Sequence, residues 1–137
     1  MKKTVLLEKH ISLGAKIVDF AGFRMPLSYS SVTDEHKYVR ENVGVFDVSH
    51  MGEFEISGKN STKFIQFICS NDIMKLKPGK AQYNCLVKDN GGIIDDLIVY
   101  KIDEEKYLLV VNASNIEKDL NWIKSLNKKN IIIFNKN

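Results

Sequence analysis

Polar and apolar positions alternate most regularly between residues 50 and 112, and that rhythm sets the predicted elements. Met51-Gly52-Glu53-Phe54-Glu55-Ile56-Ser57 reads as a half-buried strand, and Asn60 opens a helix whose apolar positions are Phe64, Ile65, Phe67 and Ile68. A loop around Pro78-Gly79 leads into a strand over 81–87, and Asp89-Asn90-Gly91-Gly92 carries a hairpin signal, because Gly supplies positive φ and Asp or Asn tolerates it. A strand over 93–102 returns, Asp103-Glu104-Glu105 turns, and Lys106-Tyr107-Leu108-Leu109-Val110-Val111 forms the next strand. Ser114 with Glu117 three residues later predicts a capping box at the start of a helix running to about Leu126, and Ile131 to Phe134 closes with a strand. The order from residue 50 is β-α-β-β-β-α-β. Connections of hairpin length make this an α+β fold with a largely antiparallel sheet.

The first part of the chain is less periodic. Residues 1–32 read as an irregular arm with one short helix, ending at Ala21-Gly22-Phe23-Arg24-Met25-Pro26-Leu27, where Gly and Pro interrupt the pattern. A helix follows, capped by Thr33 or Asp34, turning Tyr38 and Val39 inward and ending at Gly44. The expected organisation is one domain over 1–137, with the arm at 1–32 and an α+β body at 33–137.

One predicted strand contains a conflict. In Gly91-Gly92-Ile93-Ile94-Asp95-Asp96-Leu97-Ile98-Val99-Tyr100, two carboxylates interrupt an apolar run. Successive strand side chains point to opposite faces, so Asp96 travels with Ile94, Ile98 and Tyr100, and Asp95 with Ile93, Leu97 and Val99. Whichever face is buried carries an acid. A buried carboxylate without a partner costs several kcal/mol or stays protonated, so it needs a cation, donors or a chemical role. The alternative is structural: Asp95 caps the hairpin mouth and Asp96 faces water at an edge.

Composition narrows the classes. The 137 residues are 44% hydrophobic, enough for one real core, and 20 basic against 17 acidic residues give a formal charge of +3. The basic residues form no stripe interleaved with aromatics, and the paired lysines near each end read as solvated surface, so nucleic acid is not an expected partner. Val5 to Leu7 is far too short an apolar run for a signal segment or a membrane span, so no membrane partner is expected. Cys69 and Cys85 lack metal-ligand spacing and sit in apolar segments, as reduced buried thiols of a cytoplasmic protein would.

Known chemical signatures are mostly missing. There is no phosphate-cradling Gly loop, no Gly-x-Ser-x-Gly elbow and no helical His pair; His10, His36 and His50 are scattered, and no metal is expected. Tyr83, Tyr100 and Tyr107 fall on adjacent strands and are open to two readings, core or the wall of a pocket that stacks a flat ring.

Taken in order, several blocks resemble a known family. They are Phe20 to Leu27, Glu35-His36, Val43 to Glu53, Asn71-Asp72, Gly79-Lys80-Ala81-Gln82-Tyr83, Gly91 to Tyr100 and Val110-Val111-Asn112-Ala113-Ser114-Asn115. Together they resemble the opening part of aminomethyltransferase, the T-protein of the glycine cleavage system, collinearly from about residue 6 to 122. The resemblance implies a folate-binding domain within a three-domain ring. It also implies an enzyme that takes the aminomethyl group from the lipoyl arm of the H-protein, releases ammonia and yields methylenetetrahydrofolate, with tetrahydrofolate as co-substrate. Asp96 matches the family's catalytic carboxylate, and Met51, Tyr83, Asp96, Tyr100, Val110 and Asn112 match its folate-contacting positions. Relatives on the same fold include folate-dependent demethylases, and a non-catalytic folate-binding module is a further alternative.

Family members are more than twice this long. The expectation is therefore an N-terminal piece that lacks the later domains, inactive alone, with an exposed apolar face that favours self-association.

Overall fold

Residues 1–32, expected as an irregular arm, instead carry a small sheet in the computed structural model, which describes residues 1–128 and 132–135. The strands are β1 (Lys2–Lys3), β2 (Lys16–Phe20) and β3 (Phe23–Ser28), with the helix α1 (Leu7–Ser12) between the first two. β2 and β3 form an antiparallel hairpin, and β1 runs parallel to β3 on its other side. The Gly and Pro that suggested irregularity have specific places. Gly22 takes φ +80° in the tight turn after β2, a conformation that costs glycine little. Pro26 lies beyond Phe23 and Arg24, the only residues of β3 that β1 pairs, so its missing N–H leaves no ladder bond unmade.

The helix α2 (Val32–Glu41) begins two residues earlier than a Thr33 cap would place it. Ser31 is its N-cap and accepts from the Asp34 backbone N–H at 3.3 Å, which leaves Thr33 and Asp34 inside the first turn. It ends before Asn42 rather than at Gly44, and Tyr38 and Val39 are exposed, with no residue of α2 buried. The following Val43, Val45, Phe46 and Val48 are exposed as well. These elements belong to a first compact unit, Met1–His50, and Met51–Asn137 forms a second.

The second unit follows the expected order. It contains β4 (Gly52–Ser57), α3 (Ser61–Ile68), β5 (Lys80–Val87), β6 (Ile93–Asp103), β7 (Lys106–Val111), α4 (Ile116–Leu126) and β8 (Ile132–Asn135). The strands form one antiparallel sheet in the order β5-β6-β7-β4-β8, and 3-10 turns at Ile73–Lys75 and Ala113–Asn115 complete it. Ile131, read as the start of the last strand, lies outside the described residues. The expected capping box is not made, because Ser114 and Asn115 fall in the 3-10 turn and α4 starts at Ile116 without a side-chain cap.

Both helices contribute to the core on one face of this sheet. Phe54, Ile56, Leu97, Val99, Leu109 and Val111 meet Phe64, Ile65 and Ile68 of α3 and Ile116 and Ile123 of α4. Each such side chain contributes about 1.5–3 kcal/mol on full burial. Tyr107 joins this core fully buried, its hydroxyl 2.7 Å from Thr62 Oγ1, so the polar tip is satisfied where the ring is dry. Gly52 lets β4 approach α4, since a Cβ there would meet Val111 Cγ2 at 2.6 Å and Ile116 Cγ1 at 2.7 Å. The opposite face of β5, β6 and β7 is open, and Tyr83, Ile98 and Tyr100 stand exposed on it.

Candidate functional site

Strand parity settles the conflict in β6. Asp95 shares the core face with Leu97 and Val99 and is buried, while Asp96, Ile98 and Tyr100 share the open face. Asp96 lies opposite Cys85, Tyr83 opposite Ile98 and Val110 opposite Ile98 on the other side. The three tyrosines therefore divide: Tyr107 is core, and Tyr83 and Tyr100 flank the acid on the open face.

Two groups hold Asp96. The Tyr83 hydroxyl donates to Asp96 Oδ2 at 2.9 Å, and Asn112 Nδ2 donates to Asp96 Oδ1 at 2.8 Å. Asn112 comes immediately after Val111, the last residue of β7, which pairs with Leu97 beside Asp96. From the sheet's end its amide reaches both acids, donating also to Asp95 Oδ1 at 3.0 Å and to the Asp96 carbonyl at 3.2 Å. A carboxylate offers about four acceptor positions, so two donors leave Asp96 room for a ligand. The Tyr83 hydroxyl is shifted above its ordinary value, first because its hydrogen bond to Asp96 favours the protonated phenol, then by burial and by the neighbouring charge. It remains a donor that orients Asp96 without competing for a proton.

Asp95 has a different environment. Burial would raise its carboxyl, but hydrogen bonds from Asp119, Asn112, Asn115 and the Asp96 backbone outweigh burial and hold it below its usual value. Asp119, fully buried on α4, is pushed the other way, to about 8, by burial first and then by its hydrogen bond with Asp95 and that residue's charge. The sequence reading missed Asp119. The signal was present: Ile116, Asp119 and Ile123 lie on one helical stripe, which puts an acid among core positions.

The structure thus brings together Tyr83, Asp96, Tyr100, Val110 and Asn112 on one open sheet face. Met51 precedes β4 and is half-buried. Also missed was a network in the first unit, where buried His10 bridges Tyr29 and Asp47 through Nδ1 (2.6 Å) and Nε2 (2.7 Å). Those partners are 19 and 37 residues away, and no local pattern links them. Two cavities are lined by neither Asp96 nor its partners: one of about 590 Å³ beside α2, and one of about 300 Å³ between Phe64, Phe67 and Leu126. Among the described residues no group of three or more His, Cys, Asp or Glu side chains could hold a metal ion, and no helix is long and apolar enough to cross a membrane.

Comparison with known proteins gives a consistent result. The family model described as the GCVT N-terminal domain matches residues 6–136. A protein of Flavobacterium psychrophilum named aminomethyltransferase is 61% identical over 127 residues, and one of Thermosipho melanesiensis with the same name is 57% identical over 128. Each alignment covers 93% of this chain and 35% of the relative, so the chain spans about a third of the length of the curated relatives it matches. The crystal structure of the glycine cleavage system aminomethyltransferase T from Bartonella henselae superposes with a TM-score of 0.88 at 31% identity, over 98% of this chain and 38% of that one.

Proposed function

This chain belongs to the GCVT N-terminal domain family, and from that premise we propose that it is the folate-holding part of an aminomethyltransferase. The observation that supports this best is the placement of Asp96: an acid on an open, partly aromatic sheet face, oriented through both oxygens by Tyr83 and Asn112. The exposed ring of Tyr83 and the side chains of Ile98, Tyr100 and Val110 offer a flat apolar surface to a pteridine, and the carboxylate offers acceptors to its nitrogens. The reaction is transfer of the aminomethyl group from the lipoyl arm of the H-protein to tetrahydrofolate, with loss of ammonia. Two folate nitrogens bond to the methylene carbon as its bonds to the amino nitrogen and the lipoyl sulfur break, the two N–H protons leaving with ammonia and the lipoyl thiol. Asp96 accepts the proton of the attacking amine on its way and faces the positive charge that develops there. Asn112 and Tyr83 fix the direction in which Asp96 presents its free lone pairs.

The H-protein donor, a cytoplasmic setting and self-association through the open apolar face belong to the same proposal. Calorimetric titration of this chain with tetrahydrofolate, for wild type and Asp96→Asn, is the test. Binding that Asp96→Asn abolishes supports the site, and indistinguishable isotherms remove Asp96 from it. A whole-length enzyme carrying this segment then separates the chemistry: turnover only with lipoyl-bearing H-protein supports aminomethyl transfer. Turnover with a methylated donor instead points to a demethylase, and folate binding without transfer points to a non-catalytic module. Light scattering at high concentration checks self-association, which a strictly monomeric species would exclude.

A further inference from the structure

Directly behind the open face, a second acid pair lies in the core. Asp119 of α4 is fully buried, and neither of its oxygens has a donor; Asp95 Oδ2 has none either. The two carboxyls are close enough for each to act on the other, and three of their four oxygens lack a donor. If both were ionised, two like charges would meet in the core with no donor between them, which is the costliest arrangement open to such a pair. A single proton between them satisfies both. Asp95 has Asn112 as a side-chain donor and stays charged, and Asp119 has no other partner, so the proton belongs to Asp119.

We propose that Asp119 is a positioning residue for Asp96. As a neutral buried acid it donates to Asp95 Oδ2, Asp95 Oδ1 then holds one side of the Asn112 amide, and the amide so fixed holds Asp96 Oδ1, leaving the opposite oxygen to Tyr83 and the ligand. The relay crosses the sheet from the helix-packed side to the open side through one asparagine. Losing the Asp119 proton places a second charge beside Asp95, draws the Asn112 amide toward the core and loosens Asp96. The charged groups acting on Asp119 are Asp95 and Asp96 of β6, which favour keeping the proton, and Lys118 of α4, which opposes them while its ammonium donates to the Ile94 carbonyl at 2.8 Å. Relevance to group transfer rests on the assignment of Asp96 as the ligand-facing acid.

The experiment follows the Asn112 side-chain amide and the Asp96 carboxyl carbon by NMR in the ligand-free chain between pH 6 and about 9.5, a range chosen to bracket the value near 8 to which burial and Asp95 push Asp119. Both signals should move together with a midpoint near 8. In Asp119→Asn, which donates at every pH, the Asn112 signal should stay at its neutral-pH position throughout. Asp119→Leu fills the space without a donor, so Asn112 should be displaced already at pH 6; a dispersed backbone amide spectrum checks that each variant folds. A wild-type Asn112 signal that does not titrate, or a titration that persists in Asp119→Asn, overturns the proposal. Tetrahydrofolate affinity of the same samples should fall several-fold from pH 7 to 9 in wild type and stay level in Asp119→Asn. An Asn112 titration without tetrahydrofolate binding at any pH overturns the folate reading alone, and folate binding beside a pH-independent Asn112 overturns the relay alone.

Discussion

Asp95 and Asp96 are neighbours in sequence and occupy opposite environments. The Asp95 face is closed by α3 and α4, and its acid is buried against a second acid; the Asp96 face is open, and its acid is aimed by a phenol and an amide. The same residue type thus performs two tasks, separated only by the pleat of one strand. On the closed face Asp95 needs donors to offset its burial, and Asn112 supplies one. On the open face Asp96 has two donors and free lone pairs, which is what a ligand-contacting group requires.

The sharpest way to break this comparison is to neutralise each acid in turn. In a whole-length enzyme carrying this segment, Asp96→Asn should lower turnover about a hundredfold or more, the scale of a positioned acid-base or electrostatic group. Asp95→Asn should lower it much less. Steady-state rates for the two variants decide the matter, and equal losses would end the assignment of separate roles.

Next in size is a crossing pair of truncations. Leu109→Ala, on the closed face, should cost about 2–5 kcal/mol in a denaturant melt, the usual range for a buried leucine. Tyr83→Ala should leave the melt nearly unchanged, because its ring is 62% exposed. It should nevertheless weaken tetrahydrofolate binding about tenfold, close to the ~0.5–1.5 kcal/mol of an aromatic stack. A large stability loss with unchanged affinity would return Tyr83 to a purely structural role.

How much of this was legible in the sequence differs between the two units. The order of elements after residue 50 could be read because period-2 alternation and short polar turns are local signals, and the parity of β6 already placed Asp95 and Asp96 apart. Which face would be covered could not be read, since that depends on where α3 and α4 pack. Asp119 was legible in principle as an acid on the Ile116–Ile123 stripe, but its partner Asp95 is 24 positions earlier, in another element. In the first unit, Gly22 and Pro26 were read as interruptions, and only the pairing of β1 with Phe23 and Arg24 shows why a strand tolerates the proline. The capping box failed because the chain spends Ala113–Asn115 in a 3-10 turn before α4 begins, which the Ser-to-Glu spacing does not reveal.

A separate effect appears in the pH dependence of folding. The Asp119 carboxyl is raised in the folded chain to about 8, against roughly 4 when unfolded. Between those values the folded state binds more protons than the unfolded one, so its contribution to stability is full below about pH 4 and is lost as pH rises to about 8. Asp95, lowered in the folded state, has the opposite sign: its contribution is present above its unfolded value and is lost as pH falls. Stability of wild type relative to Asp119→Asn should therefore decline between pH 5 and 8. Parallel urea-midpoint curves for the two proteins over that range would show that Asp119 gains no proton on folding.

The smallest expected effect marks the far end of the open face. Lys106 and Glu55 sit there on paired strands with Nζ 3.1 Å from Oε1, the lysine side chain 45% exposed. An ion pair screened by water on one side contributes about 0.2–1 kcal/mol, since the entropy of holding a long side chain offsets most of the attraction. Lys106→Met should then shift the urea midpoint within that range and leave tetrahydrofolate affinity unchanged. Lys106 stands opposite Asp103, at the other end of β6 from Asp96. If Lys106→Met weakened binding as much as Tyr83→Ala, the ligand-facing surface would have to extend along β7 to its first residue, and the division would no longer lie simply between two faces but also along the length of the open one.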